Sequence, residues 1–222
     1  MSTFQPSVES ANRFSLEARY HEQAFIAEPL TKQVKPVTFS DQECAIATIV
    51  LAFSADPAAR WIYPNAQQYL TYFPQFVSVF GGEAFKHGTA YSIENYSGAA
   101  LWVPPGVEPD EELLMALLQE SIFEADQADR FALFEQMGHY HPREPHWYLP
   151  LIGVEPVQQG RGYGSALMQH VLMQCDRDRI PAYLKASKPA NIPFYERHGF
   201  KVLGRIQVAA SPPIFPMMRL PD

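Results

Sequence analysis

"VEPVQQGRGYGSALM", residues 154–168, decides the fold because it sets three glycines at every second position between two patterned segments. The run before it, HWYLPLIGV (146–154), is apolar on both faces, as in a central strand covered on two sides. The residues after it repeat apolar side chains at helical spacing. A strand that ends in a glycine turn and opens a helix gathers backbone N–H groups at the positive end of the helix. This arrangement predicts an anion site.

The three glycines, Gly160, Gly162 and Gly164, let a phosphate oxygen approach the main chain closely and permit a positive φ at low cost. A diphosphate fits such a turn without a metal or a lysine. The alternative is that the glycines serve only a tight connection from strand to helix. Two other phosphate loops do not match. The G-x-G-x-x-G fingerprint needs a glycine where Ser165 stands, and G-x-x-x-x-G-K-[ST] needs a Lys-Ser or Lys-Thr pair.

Residues 159–164, QGRGYG, fit the pattern [QR]-x-x-G-x-[GA], which resembles the acetyl-CoA pyrophosphate motif of the GNAT superfamily of N-acetyltransferases. The resemblance continues through IPAYLKASKPANIPFYERHGFKV (180–202). Over about Tyr140 to Met218 the chain is similar to the C-terminal half of puromycin N-acetyltransferase and its bacterial relatives. AFSADPAARWIYP (52–64) resembles the first loop of the same group more loosely.

The resemblance implies an α/β (α+β) fold of the GNAT type. This is a mixed, mostly antiparallel twisted sheet of about seven strands, with helices on both faces and a splay between strands 4 and 5. The residues themselves agree with this expectation. Two β-type runs, Thr89 to Ile93 and Ala99 to Val103, predict a hairpin. Pro150 inside the central strand predicts a bulge or a gap in pairing, because proline removes a donor.

The resemblance also implies a role for each residue of the site. Backbone groups at the end of the fourth strand would contact the pantetheine amides: Leu151, Ile152, Gly153 and Val154. Amides of the glycine turn would hold the pyrophosphate: Gln159, Gly160, Arg161, Gly162, Tyr163, Gly164 and Ser165. Asn191 would contact the cofactor arm, and the hydroxyl of Tyr195 would lie near the thioester sulfur.

Acetyl transfer needs a neutral amine, a polarised carbonyl and a proton for the departing thiolate. A tyrosine hydroxyl with a pKa of about 10 can donate a hydrogen bond or a proton, at modest cost, to a thiolate whose pKa is about 8.5, so Tyr195 suits that role, with core packing as the alternative. Backbone N–H groups near residues 152–154 suit the carbonyl. Glu144, His146 and Glu83 are candidates for the base, but each is typical of an ordinary surface or turn residue, and we assign none.

Two further groups of side chains invite a functional interpretation. His139, His141 and His146 match no common zinc spacing, so we expect no metal. Several aromatic residues before position 80 are candidates for an acceptor pocket, although core packing is the expected role for at least half of them. They are Trp61, Tyr63, Tyr69, Tyr72 and Phe76.

The composition sets the wider bounds. Lys and Arg number 17 against 24 Asp and Glu, a net charge of −7, which argues against nucleic acid and favours a cationic acceptor. Cys44 and Cys175 fall in helix-like patterns and are expected to be reduced and buried, as in a cytoplasmic protein. No apolar stretch approaches the length of a membrane span. Residues 1–35 are interpreted as an N-terminal arm and residues 36–222 as the acetyltransferase domain.

Two local features complete the predictions. Ser40 with Glu43 predicts a capping box, and Pro74 predicts a bent or broken helix. The function implied is acetyl-CoA-dependent N-acetyl transfer to the amine of a small molecule, by direct attack in a ternary complex. The alternative is a non-catalytic module that binds CoA or acyl-CoA as a sensor or interaction domain. The sequence identifies neither the acceptor nor the role of the arm, and it does not distinguish a monomer from a homodimer.

Overall fold

A seven-stranded sheet organises residues 32–222, the part of the chain that this computed structural model describes. All neighbouring strands are antiparallel except β4 and β5, which are parallel, so the predicted mixed, mostly antiparallel sheet is confirmed. The order across the sheet is β1-β2-β3-β4-β5-β7-β6. The strands are β1 (Val34–Pro36), β2 (Ala90–Ile93), β3 (Gly98–Val103), β4 (Trp147–Val154), β5 (Ala182–Ala186), β6 (Lys201–Val202) and β7 (Phe215–Arg219).

Helices cover both faces of the sheet, as predicted. One buried cluster joins α1, α3 and α5 to Leu101 and Leu151, and a second joins α7 and α8 to Trp102 and Leu149. The α-helices of residues 32–222 are α1 (Gln42–Ala52), α2 (Pro57–Ile62), α3 (Ala66–Phe80), α4 (Gly82–Lys86), α5 (Glu111–Ser121), α6 (Glu124–His139), α7 (Tyr163–Asp178) and α8 (Ile192–Glu196). None of these helices is both long enough and apolar enough to span a membrane.

Pro150 marks the irregularity that was expected in the central strand. Pairing between β4 and β5 covers residues 147–149 and stops there, and the register against β3 shifts at the same place. At this bulge β4 has one residue more than β3, and the extra residue moves the side chains that follow it to the opposite face of the sheet. Leu149 belongs to the α7 side of the sheet, whereas Leu151, also an odd-numbered residue, belongs to the α1 side. The splay between strands 4 and 5 is therefore confirmed.

The predicted capping box at Ser40 is wrong, and of the two outcomes predicted for Pro74, a bent or a broken helix, the break is wrong. Ser40 does not cap α1. It lies in a short 3-10 turn, Phe39–Asp41, and its hydroxyl contacts the side chains of Thr38 and Asp41. Pro74 does not break α3, which runs through it from residue 66 to residue 80. Proline removes one backbone donor, but burial of neighbouring residues such as Phe73 and Val77 holds the helix together.

The expectation for the cysteines holds at one position only. Cys175 is buried on the inner face of α7. Cys44 is exposed, because it lies on the solvent side of α1 while Ala45 and Ile49 face the core. Most of the predicted N-terminal arm, residues 1–31, lies outside the described residues. The last residues assigned to that arm already belong to the sheet, since β1 begins at Val34 and pairs with β2.

Candidate active site

The glycine turn leads directly into α7. Gly160 has a φ of 77° and Gly162, the residue before the helix, has a φ of 80°. Residues with a side chain rarely adopt this left-handed backbone conformation, so glycine is favoured at both positions, as the sequence suggested. Gly164 differs. It lies in the first turn of α7, and a Cβ added there would stand 3.4 Å from the ring of Phe194, an ordinary contact. Two of the three glycines are therefore required by backbone geometry.

The N-terminus of α7 has donors to spare. Within residues 32–222 no side chain caps the helix, and its first backbone bond runs from the Ala166 N–H to the Gly162 carbonyl at 3.1 Å. The N–H groups of residues 163–165 precede that bond and have no acceptor within the helix. A cation lies beside them, because Lys32 Nζ stands 2.5 Å from the place of a Cβ on Gly162. An anion at this turn would meet both backbone dipoles and a positive charge.

The splayed edge of β4 continues from the same turn. Residues 151–154 pair with β3 on one side and have no pairing with β5 on the other. Main-chain groups along that edge border the cavity between the two strands. One carbonyl is already engaged, since the side-chain amide of Gln159 donates to the Val154 oxygen at 3.2 Å. The other groups on this edge can bond an extended amide-bearing ligand as a neighbouring strand would.

A cavity of about 490 Å³ joins these parts. Every residue predicted for the cofactor site or for catalysis lines it, except Arg161, which is exposed. The lining residues among them are Leu151, Ile152, Gly153, Val154, Gln159, Gly160, Gly162, Tyr163, Gly164, Ser165, Asn191 and Tyr195. The sequence resemblance implied these residues, and the fold brings them together around one cavity.

Tyr195 lies on α8 at the cavity wall and is only 7% exposed. Burial raises its pKa well above the ordinary value, and the negative charge of Asp56 raises it further. The hydroxyl therefore keeps its proton at neutral pH, as a hydrogen-bond donor requires.

Asp56 was missed by the sequence analysis. It lies before α2, is 6% exposed, and lines the cavity. One carboxylate oxygen accepts from the N–H groups of Ala58 (3.0 Å) and Ala59 (3.1 Å), and the other accepts from the Ser187 hydroxyl at 2.7 Å. An Asp-Pro pair at the start of a helix is typical of an ordinary cap. That local role gives no sign that the second carboxylate oxygen of Asp56 bonds a distant residue.

The three residues considered as candidates for the base, none of which was assigned, lie elsewhere. Glu83 forms a surface ion pair with Lys86 at 2.6 Å, and Glu144 is exposed. His146 is half-buried and contacts His141, with ring centroids 4.8 Å apart. None of the three candidates lines the cavity. No group of three or more His, Cys, Asp or Glu suited to a metal occurs in residues 32–222.

The acceptor side of the cavity is aromatic, but with a different set of rings from the expected one. Of the five aromatic residues proposed for the pocket, only Phe76 lines it, while Tyr63 and Tyr69 pack in the core. The wall is completed by other side chains of α3 and α6, namely Phe73, Phe80, Leu133, Phe134 and Met137. The helix α3 carries aromatics on more than one face, so its sequence did not show which face meets the cavity.

An uncapped helix behind a glycine turn, a splayed strand pair and a cavity lined by a buried tyrosine agree with the arrangement that the sequence resemblance implies. Residues 119–202 match a family model described as an acetyltransferase (GNAT) domain. An uncharacterized N-acetyltransferase of Schizosaccharomyces pombe is 28% identical over 180 residues, covering 75% of this chain and 73% of its own.

Solved structures share the fold. The Corynebacterium glutamicum protein named histone acetyltransferase HPA2 and related acetyltransferase is 24% identical with a TM-score of 0.60, over 86% of this chain and 97% of its own. Arylalkylamine N-acetyltransferase 2 of Aedes aegypti is 11% identical with a TM-score of 0.63, over 86% and 100%. Together these matches support a GNAT superfamily N-acetyltransferase.

Proposed function

We propose that this enzyme moves the acetyl group of acetyl-CoA to the amine of a small molecule, by direct attack in a ternary complex. The observation that carries the proposal is a single cavity that begins at the glycine turn and continues past Asp56 and Tyr195 to an aromatic wall. Both substrates would be held in it at once. The amine could then reach the thioester without an acyl-enzyme.

Acetyl-CoA fits the donors that line the first half of the cavity. Its diphosphate would accept from the free N–H groups at the start of α7, beside the ammonium of Lys32. Its pantetheine amides would bond the open edge of β4 over residues 151–154, with Asn191 contacting the same arm. When bound, acetyl-CoA supplies an activated acetyl group as a thioester.

Asp56 is proposed to hold and deprotonate the amine. A carboxylate has room for about four hydrogen bonds, and the described contacts of Asp56 use three. An alkyl ammonium can take the remaining direction. Asp56 first takes one proton from the ammonium, which gives the neutral nitrogen the lone pair it needs for attack. The nitrogen becomes acidic again as the new C–N bond forms, and it then loses a second proton. Ser187 fixes the carboxylate by donating to its second oxygen.

Tyr195 is proposed as the acid. As the C–N bond forms, the C–S bond breaks, the phenol proton passes to the departing sulfur, and the second proton lost by the nitrogen restores the phenol. Burial keeps this hydroxyl protonated, because the phenolate is disfavoured in the cavity wall. Backbone N–H groups on residues 152–154 are proposed to polarise the acetyl carbonyl.

An acceptor with an apolar body suits the aromatic wall of Phe73, Phe76, Phe80 and Phe134. The Aedes neighbour is named for arylalkylamines, which have this character. The net charge of −7 favours approach of a cationic amine.

The test is release of free thiol from acetyl-CoA in the presence of alkyl, arylalkyl and polyamine acceptors. We expect release that depends on the amine and acetylated product by mass spectrometry. Assays without amine measure hydrolysis, and assays without acetyl-CoA measure the thiol of the exposed Cys44. Binding of CoA without release across the panel would instead favour the sensor module and overturn the proposal.

A further inference from the structure

A lysine of β5 lies in the acceptor half of the cavity, two residues before Ser187, which follows the end of the strand. Lys185 and Ser187 are two residues apart in sequence, and both line the cavity. Alternate residues of a strand point to the same side, and two residues span roughly 7 Å. Because Ser187 holds Asp56, the lysine lies two residues along the chain from the amine site, in the same cavity.

The Lys185 ammonium sits among rings. Its Nζ lies 4.7 Å from the ring centroid of Tyr148 and 5.0 Å from that of Tyr183. It also lies 3.2 Å from His141 Nδ1, to which it donates. Each of these contacts solvates a cation in part, and none of them neutralises it.

No carboxylate lies within ion-pairing distance of Lys185 anywhere in residues 32–222, where the lysine and arginine ion pairs involve Lys86, Arg130 and Arg219. The facing groups are themselves uncharged. Burial lowers the pKa of His141 to about 3, with Lys185 and His146 adding to the effect, and burial lowers the pKa of His146. The phenols facing the ammonium have pKa values raised by burial.

Among residues 32–222, the carboxylate that acts on Lys185 does so from a distance. Burial lowers the pKa of Lys185 to about 7, and Glu111 of α5 opposes that shift without forming an ion pair. Two nearby polar atoms also have no partner among the described residues: the Tyr183 hydroxyl and His146 Nε2. A buried cation with spare donors around it is a site for an anion from outside the chain.

We propose that Lys185 anchors a carboxylate on the acceptor, so that the acceptor belongs to the amino acids. Its amine would be held by Asp56 and its acidic group by Lys185. This inference rests on the proposed function, because it divides the acceptor half of the same cavity into two subsites. The acceptor would then carry an acidic group in addition to the apolar body and the cationic amine inferred above.

The experiment compares acceptors that differ only in the carboxylate: phenylalanine against phenethylamine, and 6-aminohexanoate against pentylamine. The two pairs cover a short and a long separation of the charged groups. For at least one pair we expect kcat/KM to be at least tenfold higher for the acidic member. Lys185→Met, which keeps the length of the chain and removes the charge, is expected to abolish that preference and leave the plain amine nearly as fast as before.

Control variants separate an anchor from other roles. Lys201→Met, on the exposed strand β6, is expected to change neither acceptor. Lys185→Arg is expected to keep part of the preference. The preference should also fall as the pH rises through about 7, because the ammonium is lost, while the plain amine shows no such loss.

Each other outcome has a defined meaning. Equal rates for both members of each pair, or a preference that survives in Lys185→Met, overturn the anchor while leaving the proposed function intact. Loss of both members in Lys185→Met would make the lysine part of the chemistry and also overturn the anchor. Absence of thiol release with every amine overturns the proposed function itself. In that case calorimetry of phenylalanine binding to the wild type and to Lys185→Met still tests the subsite.

Discussion

Gly162→Ala tests whether the main chain before α7 grips the diphosphate. The residue has a φ of 80°, and a left-handed conformation costs a residue with a side chain about 1–2 kcal/mol. The new Cβ would also stand 2.5 Å from Lys32 Nζ, but that atom is the free end of a flexible exposed chain and can move aside. The cost to folding is therefore set by the backbone.

Gly106→Ala is the matched control. Gly106 has a φ of 79°, a Cβ there would meet nothing within 4 Å, and the residue does not line the cavity. Both variants should lose about 1–2 kcal/mol of unfolding free energy, or roughly 2–8 °C in Tm for a domain of this size. Equal losses in the two variants would show that the shared backbone term accounts for the effect on stability.

Affinity for coenzyme A should separate the two variants. A methyl group on Gly162 would stand between the diphosphate and the N–H groups, and a hydrogen bond to a charged group contributes about 1.5–3 kcal/mol. Titration calorimetry should then show binding roughly 10- to 100-fold weaker than in Gly106→Ala. Lys32→Ala distinguishes a blocked approach from a displaced lysine, because it should weaken binding by less than Gly162→Ala. Affinities of Gly162→Ala and Gly106→Ala that agree within about threefold would refute the proposal that the main chain before α7 binds the diphosphate.

Three further substitutions test the chemistry and the frame. Asp56→Asn keeps an oxygen to cap α2 but removes the proposed base, so kcat should fall by about 10²–10⁴. Asp110→Asn is the control, because it changes the cap of α5 and should leave turnover unchanged. Tyr195→Phe should lower kcat by about 100-fold with CoA affinity by calorimetry unchanged. Asp176→Asn should lower the unfolding free energy at pH 7 by about 2 kcal/mol in denaturant titrations, because it leaves the buried Arg219 without its bidentate partner.

The Asp176 prediction has a definite pH dependence. Hydrogen bonds from Arg219 hold the pKa of Asp176 below its ordinary value. The stabilisation is therefore fully present above the unfolded pKa of about 4 and is lost as the pH falls below it. The wild type and Asp176→Asn should converge in acid. A difference that persists unchanged at pH 2 would show that the carboxylate charge is not the cause. For Asp56 and Tyr195, rates close to wild type would remove the assigned base or acid.

The cofactor half of the site could be predicted because its physics is local. The glycine spacing, the apolar strand before it and the helical stripe after it lie within about thirty residues of sequence. The structure confirms the elements they predict: the strand, the two left-handed glycines and the helix. Pro150 predicted the gap in pairing for the same reason, since a missing N–H is a property of that residue alone.

The acceptor half could not be predicted because its contacts are long-range. Asp56 meets Ser187 across 131 residues, and Lys185 meets His141 across 44. Neither partner carries a local signal: an Asp-Pro pair has the pattern of a helix cap, and a lysine in a strand has the pattern of a surface residue. Charged side chains in a sequence show their function only when the fold removes their solvent and their counter-ions.

One irregularity builds both halves of the site. The bulge at Pro150 ends pairing with β5, and so opens the β4 edge to a ligand, but it also turns residues 151 and 153 toward α1. Gly153 then lets the helix approach closely, because a Cβ there would lie 2.6 Å from that of Ala52, the last residue of α1. The loop that follows carries Asp56 four residues later. The position of the proposed base is thus tied to the strand edge proposed to hold pantetheine. A change of register in β4 would displace the amine and the thioester relative to each other, even with every polar residue of the site retained.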